Sequence, residues 1–148
     1  MKLLNTLLSS KVGVAALILR VPVGLILAAH GAQKLFAWFG GYGLEGTGQW
    51  MASIGLEPGY WLAMMAGSAE FFGGIALAIG LLTRPAAVVA GFTMLIAIFS
   101  VHISNGLFMA NNGYEYALTL LVVTVVLAIQ GAGSFSLDNV LAKKLANK

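Results

Sequence analysis

The sequence predicts an all-α fold: a bundle of four transmembrane helices with a long outer loop between helices one and two. Three observations carry this. The 148 residues are 59% hydrophobic and only 9% charged, whereas a soluble domain uses about 25% charged residues to cover its surface. Mean hydropathy is +0.92. Four segments, residues 12–32, 60–82, 85–103 and 114–129, are apolar over about the 20 residues that a membrane helix needs. The basic residues are one-sided. With the N-terminus inside, Lys2, Lys11, Arg84, Lys143, Lys144 and Lys148 fall on the cytoplasmic side and only Lys34 on the other. The expectation is a multi-pass protein of the bacterial plasma (inner) membrane, one domain over residues 1–148, with both termini cytoplasmic and the lipid bilayer as its first partner.

Each element follows in order. Residues 1–29 imitate a signal peptide, but Arg20 interrupts the apolar stretch and three spans follow, so this is an uncleaved first helix. Pro22 removes a backbone donor and should bend it near Arg20. In the outer loop, "FGGYGLEGTG" reads as flexible and "QWMASIGLEP" as a short interfacial helix. All three Trp (38, 50, 61) and all four Tyr (42, 60, 114, 116) lie on the outer side. They read as an aromatic cap over the bundle mouth, or as interfacial anchors. "LLTRP" is a tight cytoplasmic turn, with Pro85 in the first turn of helix three. The tail "SLDNVLAKKLANK" puts Leu137, Val140, Leu141 and Leu145 on one helical face, so it should lie on the cytoplasmic membrane surface.

Several functions are excluded. There is no cysteine, hence no disulfide, thiolate nucleophile, zinc–thiolate site or iron–sulfur cluster on this chain. The net charge of +3 is explained by topology, and nucleic acid is not an expected partner. Walker loop, dinucleotide fingerprint and HExxH are all missing.

The charges inside the spans carry the functional argument. Glu70, in "GSAEFFGG", has no charged residue within ten positions. At 1.5 Å per residue, Arg20 lies about 12 Å deep from one side and Glu70 about 15 Å from the other, which levels them in a core of about 30 Å. An Arg20–Glu70 ion pair is therefore expected. Small residues at Gly13, Ala16, Gly24 and Gly31, and at Ala66, Gly67, Gly73 and Gly74, mark the faces where the two helices approach. A charge at the bilayer centre costs about 2.5–3.5 kcal/mol on the most lenient scale. The pair reads either as a structural staple or as part of a ligand site. A second polar set, His30, Lys34, His102, Asn105 and Glu115, projects to the outer end. His102 and Glu115 are close enough in sequence to touch. His30 and His102 form a weak candidate pair for haem b. His30, His102 and Glu115 form an equally weak metal set. Hydrogen bonding to a polar headgroup, or relay of its protons, suits histidine better; interfacial capping without chemistry is the remaining reading.

"LRVPVGLILAAHGAQKLF", "AEFFGGIALAIGLLTRPAA" and "HISNGLFMANNGYEYALTLL" together resemble the DoxX family of small four-helix membrane proteins, over residues 12–138. The resemblance carries over Arg20, His30, Gly31, Lys34, Glu70, Thr83, Arg84, His102, Asn105, Gly106, Tyr114 and Glu115. It implies a quinone-interacting membrane subunit of an oxidoreductase, such as a thiosulfate:quinone oxidoreductase or a membrane complex handling thiol or oxidative stress. Any thiol step would fall to a partner subunit. The ligand-binding candidates are Arg20, His30, Lys34, Glu70, His102, Asn105, Tyr114 and Glu115, with quinone as the ligand near His30, His102 and Glu115, and Arg20–Glu70 beneath it. A protein partner subunit or a homo-oligomer is expected. The alternatives are a non-catalytic scaffold or assembly factor with a structural Arg20–Glu70 pair and, ranked lower, a small-solute or ion carrier using Glu70.

Overall fold

A computed structural model describes residues 2–8 and 13–147. Its helices are α1 (Lys2–Leu8), α2 (Val14–Phe36), α3 (Gly43–Ser53), α4 (Gly59–Ile79), α5 (Thr83–Ala97), α6 (Glu115–Gln130) and α7 (Leu137–Ala146), with no strand among the described residues. The chain is all-α, as expected. Three stretches are long and apolar enough to cross a membrane: Val14–Phe36, Gly59–Ile79 and Thr83–Asn105. The last is α5 prolonged by a π turn, Ile98–His102, and a 3-10 turn, Ile103–Asn105. The fourth, α6, is a shorter apolar helix of 16 residues. Lys11, Val12 and Lys148, which entered the span and charge-side expectations, lie outside the described residues.

Two boundaries differ from expectation, and both move the charges. Helix α2 continues to Phe36, so Lys34 sits inside its last turn. Helix α4 stops at Ile79, because Gly80 takes the left-handed conformation (φ 70°) and caps it. Pro85 sits in the first turn of α5, where its missing N–H costs nothing.

Helices α2 and α4 pack backbone against backbone. A Cβ on Gly24 would lie 2.5 Å from the Gly74 carbonyl oxygen, and one on Gly31 would lie 2.3 Å from the Phe71 nitrogen. Such approaches are open only to glycine, the same economy that small residues provide in membrane interfaces generally. The contacts set the register: Gly24 lies against Gly74, Gly31 against Gly67 and Phe71, and Arg20 against Gly80.

The glycine-rich stretch after α2 is largely helical. Most of it is α3, whose Gly48 lies directly on the start of α4. A Cβ on Gly59 would lie 2.1 Å from the Gly48 carbonyl oxygen. These glycines serve close approach, and the helix begins six residues earlier than "QWMAS" suggested.

At the end of the bundle that carries both termini, α7 is docked and not merely laid on a surface. Ser136 caps it by accepting from Asn139 N at 3.2 Å. Asp138, 1% exposed, accepts from Leu82 N at 2.6 Å and Thr83 N at 2.8 Å. It thereby caps α5 across the turn. The apolar residues Leu137, Val140 and Leu141 remain exposed.

Candidate functional site

The two mid-span charges do not meet. Arg20 is 1% exposed, and its guanidinium is consumed by backbone carbonyls. Nε donates to Ala132 O at 3.0 Å, Nη1 to Ala78 O at 2.5 Å, and Nη2 to Phe135 O at 2.6 Å. Weaker contacts reach Leu77 O and Ser134 O, both at 3.4 Å. A helix leaves its last four carbonyls without partners. The planar, five-donor guanidinium serves two of those of α4, Leu77 O and Ala78 O, while pinning the segment that leads to α7. Arg84 does the same for α6, donating to Ala128 O at 3.0 Å and to Ile129 O. The expected Arg20–Glu70 pair is thus corrected. Arg20 is level with Gly80, ten residues or about 15 Å along the helix from Glu70.

Glu70 instead takes Lys34, the basic residue expected at the interface. Lys34 Nζ lies 2.6 Å from Glu70 Oε2, with the side chains 24% and 3% exposed. Gly67 creates the space: a Cβ there would crowd Lys34 Cβ at 3.1 Å, so the lysine stem runs over the glycine to the carboxylate one turn deeper. Taking a carboxylate out of water costs several kcal/mol unless it is paired and hydrogen-bonded, and this short charge-assisted bond does both.

The pair faces a cavity of about 650 Å³ at the end opposite the termini. Helix α3 covers it with Thr47, Trp50 and Met51; α4 contributes Ala66 and Glu70; α5 contributes Thr93, Ile96, Ala97 and the π turn. A π turn closes five residues on, here from Ile103 N to Ile98 O, and Ser100, Val101 and His102 all reach the cavity. The wall is mostly apolar. A few polar groups interrupt it: Gln33, Lys34, Glu70, Ser100, His102 and Asn112. Size and composition match sites that bury a small amphipathic ligand.

The other candidates do not line the cavity. His30 packs against Tyr116, ring centroids 5.9 Å apart, and its side chain hydrogen-bonds Gln33 behind the wall, within electrostatic reach of Lys34 and Glu70. Tyr114 packs on the apolar core. Glu115 is not in contact with His102; its Oε1 accepts from Met109 N at 2.7 Å and closes the connection between α5 and α6. Asn105 donates to Val101 O and Asn112 O. Among the described residues, no group of three His, Cys, Asp or Glu is placed to hold a metal ion, so the His30–His102–Glu115 set is corrected too. The two histidines, engaged with different elements, do not form the facing pair that haem needs. Of the expected aromatic cap, only Tyr42 and Trp50 line the cavity, and both are exposed, as are Trp38, Tyr60 and Trp61. Gln33, Thr47, Thr93, Ser100 and Asn112 were missed. A single sequence marks Gln33 only by its place beside Lys34, and the rest not at all.

The fold and site therefore define a helical membrane protein with a buried ion pair open to an amphipathic cavity. The chain belongs to the DoxX family, whose sequence pattern it matches over residues 15–103. It is 34% identical over 125 residues, 84% of this chain and 85% of the other, to a Bacillus subtilis protein named "Putative oxidoreductase CatD". It is also 34% identical over 137 residues, 88% of this chain and 95% of the other, to the Escherichia coli inner membrane protein YqjF. No solved structure matches.

Proposed function

We propose that the chain is a four-span protein of the bacterial inner membrane with both termini cytoplasmic, and that its outer cavity holds the oxygenated head of a quinone-type lipid as a subunit of an oxidoreductase complex. The observation that carries this reading is the buried Lys34–Glu70 pair facing a cavity of about 650 Å³. Ionisable groups at membrane depth mark functional sites by default, and this pair lines a space instead of being packed shut. Lys34 would donate to a ligand oxygen, with Glu70 holding the ammonium in place. The apolar wall would take the ring. Electrons would pass to or from a redox centre on a partner chain, and the name of the Bacillus relative points the same way.

The span count rests on α6. Its first residues join the end of the α5 extension through Tyr114 N to Gly106 O and Glu115 N to Leu107 O. Its last carbonyls meet Arg84 at the start of α5. It therefore runs the length of α5, and at about 24 Å it would tilt little or thin the bilayer locally. The scaffold reading draws support from Arg20, whose bonds are structural, but it leaves the cavity without a purpose.

The test is mass spectrometry of a solvent extract of protein purified in mild detergent, beside a Lys34→Met/Glu70→Met variant that removes both charges together. A stoichiometric quinone, lost from the variant, supports the reading. Extracts that match bulk lipid in both preparations overturn it in favour of the scaffold.

A further inference from the structure

His102 Nδ1 lies 2.9 Å from the backbone carbonyl oxygen of Asn112. A carbonyl only accepts, so the ring nitrogen must donate, and the imidazole hydrogen is fixed on Nδ1. The same carbonyl receives Asn105 Nδ2 at 3.1 Å, and that amide also donates to Val101 O at 3.2 Å. Two donors from the α5 extension thus converge on one oxygen and hold the ring's orientation. In the neutral imidazole, Nε2 is then an acceptor, and it has no hydrogen-bond partner among the described residues. Glu70 is a second acceptor on the same cavity, and Lys34 a donor.

We propose that the cavity selects the reduced, dihydroxy form of its aromatic ligand, with His102 Nε2 accepting the hydrogen of one ligand hydroxyl. This rests on the quinone-type reading above and adds the redox form that the site prefers. A quinone offers only carbonyl acceptors. It satisfies Lys34 but sets a lone pair against His102 Nε2, leaving that nitrogen desolvated and unpaired. A diol donates to Nε2 with one hydroxyl, and its other oxygen accepts from Lys34. Covering such an acceptor with a ligand that gives it no donor lowers affinity by about tenfold. Asn105 is a positioning residue here, since it does not line the cavity and acts through the carbonyl that fixes the ring.

The experiment measures the Kd of decylubiquinol and decylubiquinone, anaerobically, for the full chain in nanodiscs by equilibrium dialysis. The quinol is expected to bind about tenfold tighter. His102→Phe should bring the two forms within about twofold by weakening the quinol alone. Asn105→Leu, which leaves the cavity wall intact, should shrink the ratio in the same direction and carries the test if His102→Phe fails to fold. Equal affinities, or a tighter quinone, in the unmodified chain overturn the inference while leaving the quinone-type reading standing. If neither form binds, both are overturned.

Discussion

Lys34 and Arg20 carry the same charge on the same helix and act differently, because their reach and donor geometry differ. The lysine delivers one compact charge to one carboxylate. The guanidinium spreads its donors over carbonyls of two segments. Lys34→Met would leave Glu70 buried and unpaired and should cost about 3 kcal/mol, read as a lowered unfolding midpoint in detergent. Exchanging the two, Lys34→Glu with Glu70→Lys, should recover much of that loss. Exchanging Arg20 and Glu70 should recover none, and recovery there would contradict the assignment. Arg20→Lys should also destabilise, because a point charge cannot replace the fork. The sequence alone made Glu70's burial and its need for a cation legible. It did not make the partner legible, because α2 runs on past its expected end to Phe36 and carries Lys34 within reach of the carboxylate. The register that separates Arg20 from Glu70 is set by glycine contacts, not by charge.

Among elements, the α2–α4 contact leaves no room for added volume. Gly31→Ala places a methyl 2.3 Å from backbone that cannot move alone, so it should disrupt the pair and abolish stable expression. Gly13→Ala, which meets open space, should leave the melting curve unchanged; equal effects from the two would refute the packing account. Asp138→Asn should loosen α7 and fray the start of α5, seen as faster amide exchange at Leu82 and Thr83, since a neutral amide is a poorer partner for two backbone donors. The small-residue stripes on α2 and α4 were readable because membrane interfaces use them repeatedly. The fold of α3 was not, since glycine spacing looks the same whether it serves a loop or a close helix contact. The docking of α7 was hidden for a similar reason: Asp138 looks like an ordinary first-turn acid until the turn it caps is placed beside it.

For the whole molecule, the proposed topology places α3 outside and α7 inside. The native chain has no cysteine, so single thiols can be introduced cleanly. Glu45→Cys should react with a membrane-impermeant maleimide on intact cells, and Asn147→Cys only after lysis; the reverse pattern would invert the molecule. The composition made the membrane class legible because apolar surface on this scale has no other solvent. The cavity was illegible for the opposite reason, being assembled from α2, α3, α4 and α5 by residues of unremarkable type. The most direct test of the central claim uses Trp50, which lines that cavity. With Trp38 and Trp61 replaced by Phe, Trp50 emission is followed while decylubiquinol is titrated into nanodiscs. Saturable quenching is expected, shifted to at least about tenfold higher concentration when Lys34 and Glu70 are both replaced by Met. Quenching that rises without saturation, or that is the same with and without the ion pair, would contradict that claim.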